Sequence, residues 1–157
     1  MVDILFNQVG YIINEFVPEY YRSELFHFSH ILSIETNDIS NLHIYHNLRS
    51  LTITGTIMNI NALIGLSLQT INTRSFKGDL SPLNGMSIQT IYMYSFNGDL
   101  IPLKGMPIQT ISMNSFNGDL SPLKGMSIRS IIMNSFNGDL SPLKGMPIQY
   151  ISMNSFE

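Results

Sequence analysis

A repeat of 20 residues governs the second half of this chain, and few sequence features restrict a fold more. SFKGDLSPLNGMSIQTIYMY runs from Ser75 to Tyr94, and SFNGDLIPLKGMPIQTISMN from Ser95 to Asn114. SFNGDLSPLKGMSIRSIIMN continues to Asn134 and SFNGDLSPLKGMPIQYISMN to Asn154, and a fifth copy opens at Ser155. Phe76, Phe96, Phe116, Phe136 and Phe156 mark the period. The frame extends backwards in worn form. Leu68, Ile71 and Thr73 hold the places of Ile88, Ile91 and Met93, and Leu48, Leu51 and Ile53 lie one period earlier. Leu32 and Ile34 are expected as a still earlier strand, at 19-residue spacing from Leu51 and Ile53. The array is expected to hold about six to seven coils.

Each coil divides into two parts. Ile108-Gln-Thr-Ile111-Ser-Met113 has the form LxxLxL, with apolar residues turned one way and small polar ones the other. That pattern predicts a short strand entered through a bend. The remainder carries turn chemistry. Asn-Gly-Asp favours a tight turn, because Gly accepts positive φ and Asn and Asp bond their own backbone. Ser121-Pro122-Leu123-Lys124-Gly125 reads as one helical turn with a Ser cap, Pro at the first position and Gly at the exit. Ile101 replaces that Ser in one coil, so the cap is not obligatory. The inward set of a coil is Phe116, Leu120, Leu123, Met126, Ile128, Ile131 and Met133. Such a set cannot close a core alone, but stacked coils bury it continuously. The expected fold is an α/β solenoid of 20-residue coils. A parallel sheet lines its concave face, with short turns or single helical turns on the convex face. Residues 1–29 form a helical N-terminal cap. Residues 30–157 form the solenoid, with degenerate coils over 30–74 and regular coils over 75–157.

The LxxLxL strand with its 20-residue return resembles leucine-rich repeats, at the short end of their range. Those repeats usually carry Asn or Cys three residues past the strand, where Phe116 and its equivalents stand here. The Phe-Asn step, as in Phe116-Asn117, is also similar to the FNIP repeats of amoebae and giant viruses. FNIP repeats are slightly longer and carry Phe-Asn one position later. The likeness covers about residues 30 to 157.

Val2, Leu5, Phe6, Val9, Ile12, Ile13 and Phe16 fall at helical spacing, and Pro18 ends that helix. A second short helix is expected from Glu19 to Phe28, with Tyr21, Leu25 and Phe28 inward. Covering the open end of a solenoid is one role for this pair. The stretch from Asp3 to His30 also resembles a degenerate F-box, a helix followed by Val17-Pro18 and a second helix. That resemblance implies docking of a Skp-type ubiquitin-ligase adaptor through Leu5, Val9, Ile12, Val17, Pro18 and Leu25. The usual opening Leu-Pro is absent and the third helix is missing or replaced. Both readings, plain cap and docking module, stand at this point.

Composition narrows the function. Charged residues are only 12%, roughly half the usual share of a soluble domain. Net charge is −3 and the eight Lys and Arg are spread out, so nothing here neutralises a phosphate backbone, and no nucleic-acid partner is expected. The absence of Cys removes disulfides, thiolate metal sites and Cys nucleophiles. No run approaches the ~18 apolar residues of a membrane span, and Met1 to Gly10 lacks the basic start of a secretory signal. The expectation is a cytoplasmic protein, in the host cytoplasm if the source is viral, without a cofactor or membrane partner.

The outward strand positions are the candidate site, since they build the concave surface on which such solenoids bind. One column reads Thr70, Thr90, Thr110, Ser130, Tyr150; the next reads Asn72, Tyr92, Ser112, Ile132, Ser152; a third reads Arg74, Tyr94, Asn114, Asn134, Asn154. Much of the variation between otherwise near-identical coils lies in these columns. A protein-binding surface anchored by Tyr92, Tyr94, Ile132 and Tyr150 looks like this, and so does free drift at exposed positions. Asp79, Asp99, Asp119 and Asp139 form another column, with Lys104, Lys124 and Lys144 five residues on. A local turn bond is the main expectation for each Asp. Ca²⁺ held between coils is the alternative, although each coil offers only one carboxylate plus Asn. His27, His30, His43 and His46 have a zinc-like spacing, but all-His structural sites are unusual, and no metal site is assigned. No catalytic motif is present: Gly-x-Ser-x-Gly, a phosphate-binding Gly loop and HExxH are all missing. The sequence stops at Ser155-Phe156-Glu157, one step into another coil. A bare last strand invites self-association, and truncation is the other explanation. A protein-binding scaffold, in the form of a ubiquitin-ligase substrate adaptor, is thus weighed against a self-associating or Ca-loaded structural array.

Overall fold

The computed structural model of the chain describes residues 33–40, 42–45 and 47–153. The expected cap helices, with the adaptor-docking residues on them, lie outside the described residues. Seven short strands form one parallel sheet in chain order: β1 (Ser33–Thr36), β2 (Ser50–Ile53), β3 (Thr70–Thr73), β4 (Thr90–Met93), β5 (Thr110–Ser112), β6 (Ser130–Ile132) and β7 (Tyr150–Ser152). Each strand returns to the next through a short 3-10 turn. These turns are Leu42–Ile44, Asn61–Leu63, Ser81–Leu83, Ile101–Leu103, Ser121–Leu123 and Ser141–Leu143. The result is a solenoid-like repeat. No α-helix occurs among the described residues, so the helical element of the coil is the tighter 3-10 form. Nor is any helix among them long and apolar enough to cross a membrane.

From β2 onward the register repeats without slip. Leu51, Ile71, Ile91, Ile111, Ile131 and Ile151 sit side by side on adjacent strands. Stacking identical positions places the inward side chains of one coil on those of the next. Phe116, Leu123, Ile128, Ile131 and Met133 have no exposure, Leu120 has 1% and Met126 has 7%. The whole expected inward set is therefore core. The Phe rings add a stacked layer: Phe76 and Phe96 lie 6.1 Å apart between centroids, Phe116 and Phe136 6.3 Å, both nearly parallel at 4°. That separation is within the range of favourable aromatic pairs.

The first coil departs from the expected 19-residue spacing. Ile34 pairs with Leu51 and Thr36 with Ile53, so the inward residues of β1 are Ile34 and Thr36, not Leu32 and Ile34. The cause is a shorter return. Thr36 precedes its turn carboxylate Asp38 by two residues, whereas Met93 precedes Asp99 by six. The missing residues are those that elsewhere carry Phe. Because side chains alternate with a period of two, this shift keeps the apolar face inward.

The turn chemistry differs from the expected one in two respects. The cap of each 3-10 turn is the Asp, not the Ser. The N–H groups of Ser81, Ile101, Ser121 and Ser141 donate to Oδ1 of Asp79, Asp99, Asp119 and Asp139, at 2.7–2.8 Å. Only a backbone N–H is needed, which is why Ile101 substitutes for Ser without loss of the turn. Glycine also serves two purposes. Gly125 takes φ +75 after Lys124 at φ −54, ψ 127, and Met126 N–H closes onto Leu123 O, the geometry of a type II turn. Gly118, in Asn-Gly-Asp, is absent from the positive-φ set. It is required for space: a Cβ there would meet the Phe116 ring at 3.0–3.1 Å. At Gly78 a Cβ would also fall 2.1 Å from Met58 O of the previous coil.

Candidate binding face

Strand alternation sets the face. On β4, Ile91 and Met93 point into the core with no exposure, so Thr90 and Tyr92 point out, with Tyr94 just past the strand. The register then lines Asn72, Tyr92, Ser112, Ile132 and Ser152 across the sheet, one per strand at roughly 4.8 Å intervals. Thr70, Thr90, Thr110, Ser130 and Tyr150 form the parallel column beside it. The strands are entered through the predicted bend. The carbonyl of Gln109 accepts both Arg129 N–H and Ser130 N–H, and Gln69, Gln89 and Arg129 accept pairs in the same way.

Exposure within these columns is uneven. Tyr150 is 55% exposed and Tyr94 41%, and Arg74 is exposed just past β3. Tyr92, Thr110, Asn114, Ser130, Ile132, Asn134 and Ser152 are half-buried. Ser112, expected as an open contact position, is buried at 3%. Its small side chain lies between Tyr92 and Ile132 on the two neighbouring strands, which overshadow it. The middle of the face is thus a shallow dip floored by Ser112, with an aromatic on one side and an aliphatic on the other. Ser112 Oγ lies 3.5 Å from Asn114 Oδ1, and Ser152 Oγ 3.4 Å from Asn134 Oδ1. Asn72 Oδ1, beside Tyr92, is enclosed without a hydrogen-bond partner among the described residues. Asn154 lies outside the described residues.

One column escaped sequence reasoning. Gln69, Gln89, Gln109, Arg129 and Gln149 are all exposed along the entry edge of the strands. Their signal was available, since each occupies the polar place next to the outward Thr in LxxLxL. Together with the Thr and Ser column they give a low-charge surface rich in amide and hydroxyl groups, with three tyrosines and one isoleucine as its large side chains. Such a surface offers hydrogen bonds and apolar contact but no acid–base pair.

Elsewhere the Asp column is accounted for by its turns. The carboxyls of Asp79 and Asp119 are held below the usual range, first by the backbone N–H and then by the hydroxyl of the Ser two residues on. At Asp139 the Ser141 hydroxyl contributes most. Asp119 also feels a small opposing push from Asp139. Asp38 and Asn59 make the same turn bond in the worn coils, to Ser40 and Asn61. Of the four histidines, His43 is described; it is exposed in its 3-10 turn. His27, His30 and His46 lie outside the described residues. Among the described residues no three His, Asp or Glu side chains are grouped to hold a metal ion.

No family model and no curated protein matches this chain.

Proposed function

We propose that the chain is a leucine-rich-repeat-like solenoid, kin to FNIP repeats, that works as a protein-binding scaffold through its outward, concave strand face. The observation that carries this reading is where the coils differ. The inward column from Ile71 to Ile151 is invariant, whereas the outward column beside it runs Asn72, Tyr92, Ser112, Ile132, Ser152. Tyr92, Tyr94, Ile132 and Tyr150 bring large side chains to a face otherwise made of small polar groups. Aromatic anchors within a polar surround are the usual composition of a protein-recognition hot spot. The low charge of the face suits a neutral partner surface.

The test uses the intact chain as bait and a variant carrying Tyr92→Ser, Tyr94→Ser and Ile132→Ser. A control variant carries Lys104→Ser, Lys124→Ser and Lys144→Ser on the turn side. A partner identified with the wild type should be lost with the first variant and kept with the second. Equal retention by both variants removes the reading.

The ligase-adaptor form of this proposal rests on the F-box resemblance of residues 3–30. Mixing the intact chain with a purified Skp-type adaptor should give a complex on gel filtration that Leu5→Asp and Ile12→Asp abolish. Separate elution of the two proteins leaves the scaffold reading without its ligase role.

A further inference from the structure

The two ends of the described array are not alike. At β1 the inward side chains are covered: Ile34 is 2% exposed, Leu42 3% and Tyr45 6%. At β7 they are not. Ile131 has no exposure, but its equivalent Ile151 has 49%, and Tyr150 beside it has 55%. Leu140, Met146, Ile148 and Met153 are only partly buried, whereas Leu120, Met126, Ile128 and Met133 are buried in the coil before. The last described coil therefore presents core-type side chains on its outer side. β7 has one strand neighbour, β6, among the described residues. Sheet edges are normally guarded by Lys, Pro or a bulge, and Tyr150-Ile151-Ser152 contains none of these.

We infer that this end face binds a second copy of the chain, tail to tail. The occupant follows from two observations. The underside of one coil fits the side chains of another coil of the same repeat, as every interface within the array demonstrates, so the complementary chemistry is the repeat itself. The opposite end is closed over Ile34 and Leu42, so a second copy has no open first coil to stack head to tail, and growth into a filament is blocked. The two open ends meet each other. That arrangement is isologous and closes as a two-fold dimer. The β7 strands lie antiparallel across the axis, Ile151 packs near it, and the two sheets join. The strand face remains free in the dimer, so this inference is independent of what that face holds.

Sedimentation equilibrium of the full chain across a wide concentration range tests it. A single chain weighs 17.7 kDa. The mass should double as concentration rises and then stop. Ile151→Lys should hold it at the single-chain value, and since Ile151 is already half exposed, the variant keeps its fold by circular dichroism. The chain contains no Cys, which allows a second measurement. Ser152→Cys should be joined into a covalent dimer by a short bismaleimide, and Gln69→Cys should not. A wild type that stays at 17.7 kDa throughout overturns the inference. So do masses that climb past the dimer, a dimer indifferent to Ile151→Lys, or equal cross-linking at both positions.

Discussion

The worn coils up to β3 and the regular coils from Phe76 onward share one strand ladder but fill the space beside it differently. In the regular coils the Phe ring folds under its own turn, against a Gly that leaves it room, and stacks on the ring of a neighbouring coil. In the worn coils that layer is missing. The first coil lacks the residues altogether, and in the second the place of Phe76 is held by exposed Thr56, while Ile57 packs against the core instead. A backbone ladder runs with the rings. Asn117 N–H donates to Asn97 Oδ1 at 2.8 Å, and Asn137 N–H to Asn117 Oδ1 at 3.0 Å. Lys77, at the boundary, has no side-chain acceptor to extend that ladder backwards. Strand pairing alone thus suffices to keep a coil in register, whereas the Phe and Asn layers impose the fixed 20-residue length.

Substitution at the two equivalent positions gives the widest contrast. Phe116→Ala empties a fully buried site and should lower stability by about 3–5 kcal/mol, while Thr56→Ala on the surface should stay within about 0.5 kcal/mol. Urea denaturation midpoints measure both. Equal losses would show that the Phe layer is not what separates the regions. A Gly→Ala pair sharpens the point. Gly78→Ala drives a methyl into Met58 O, so the backbone of the worn coil must move, and a cost above about 3 kcal/mol is expected. Gly118→Ala meets only the Phe116 ring, which can shift, and should cost about 1–3 kcal/mol.

Two threonines in equivalent core positions test the worn region from within. Thr73 is wholly buried and its Oγ1 has no partner. Thr36 is 7% exposed, and its Oγ1 accepts Asp38 N–H and donates to Asp38 O. Thr73→Val should therefore stabilise by about 1 kcal/mol, and Thr36→Val should destabilise by a similar amount. Matching signs in thermal melts would contradict this account of the two hydroxyls.

The smallest expected effect is in pH. Asp79, Asp119 and Asp139 titrate below the unfolded carboxyl value near ~4 because their turns hydrogen-bond the charged form. A depressed folded pKa stabilises above the unfolded pKa, and that contribution is lost as pH falls through the folded one. Stability should be level near neutrality and decline below about pH 4. Asn59 makes the same bond without titrating. Replacing the three aspartates by Asn should accordingly flatten the acid limb of the denaturation midpoint while leaving the neutral value nearly unchanged.

Much of this architecture was legible in the sequence because period and alternation are local signals. Phe116, Leu120 and Ile131 announced the core through their spacing alone. The first coil was not legible, because a deletion between Thr36 and Asp38 moves the strand while leaving its apolar alternation intact, so Leu32 and Ile34 look as suitable as Ile34 and Thr36. The turn cap was assigned to Ser121 because Ser-Pro-Leu reads as a helix start; that Asp119 reaches the same N–H depends on how the backbone bends between them. The outward face was legible as a face, but the burial of Ser112 was not. It depends on Tyr92 and Ile132, each twenty residues away in sequence and one strand away in space.

The central claim is that each 20-residue step along the chain advances one strand across a single parallel sheet. Spin labels on Cys substituted at exposed Gln89, Gln69 and partly exposed Arg49, each paired with one at Gln149, measure it directly in a chain with no other Cys. Mean label distances should be narrow and rise by roughly 4.8 Å per coil through that series. Distances that fail to rise in even steps, or that spread broadly, would contradict the stacked array and the binding face built on it.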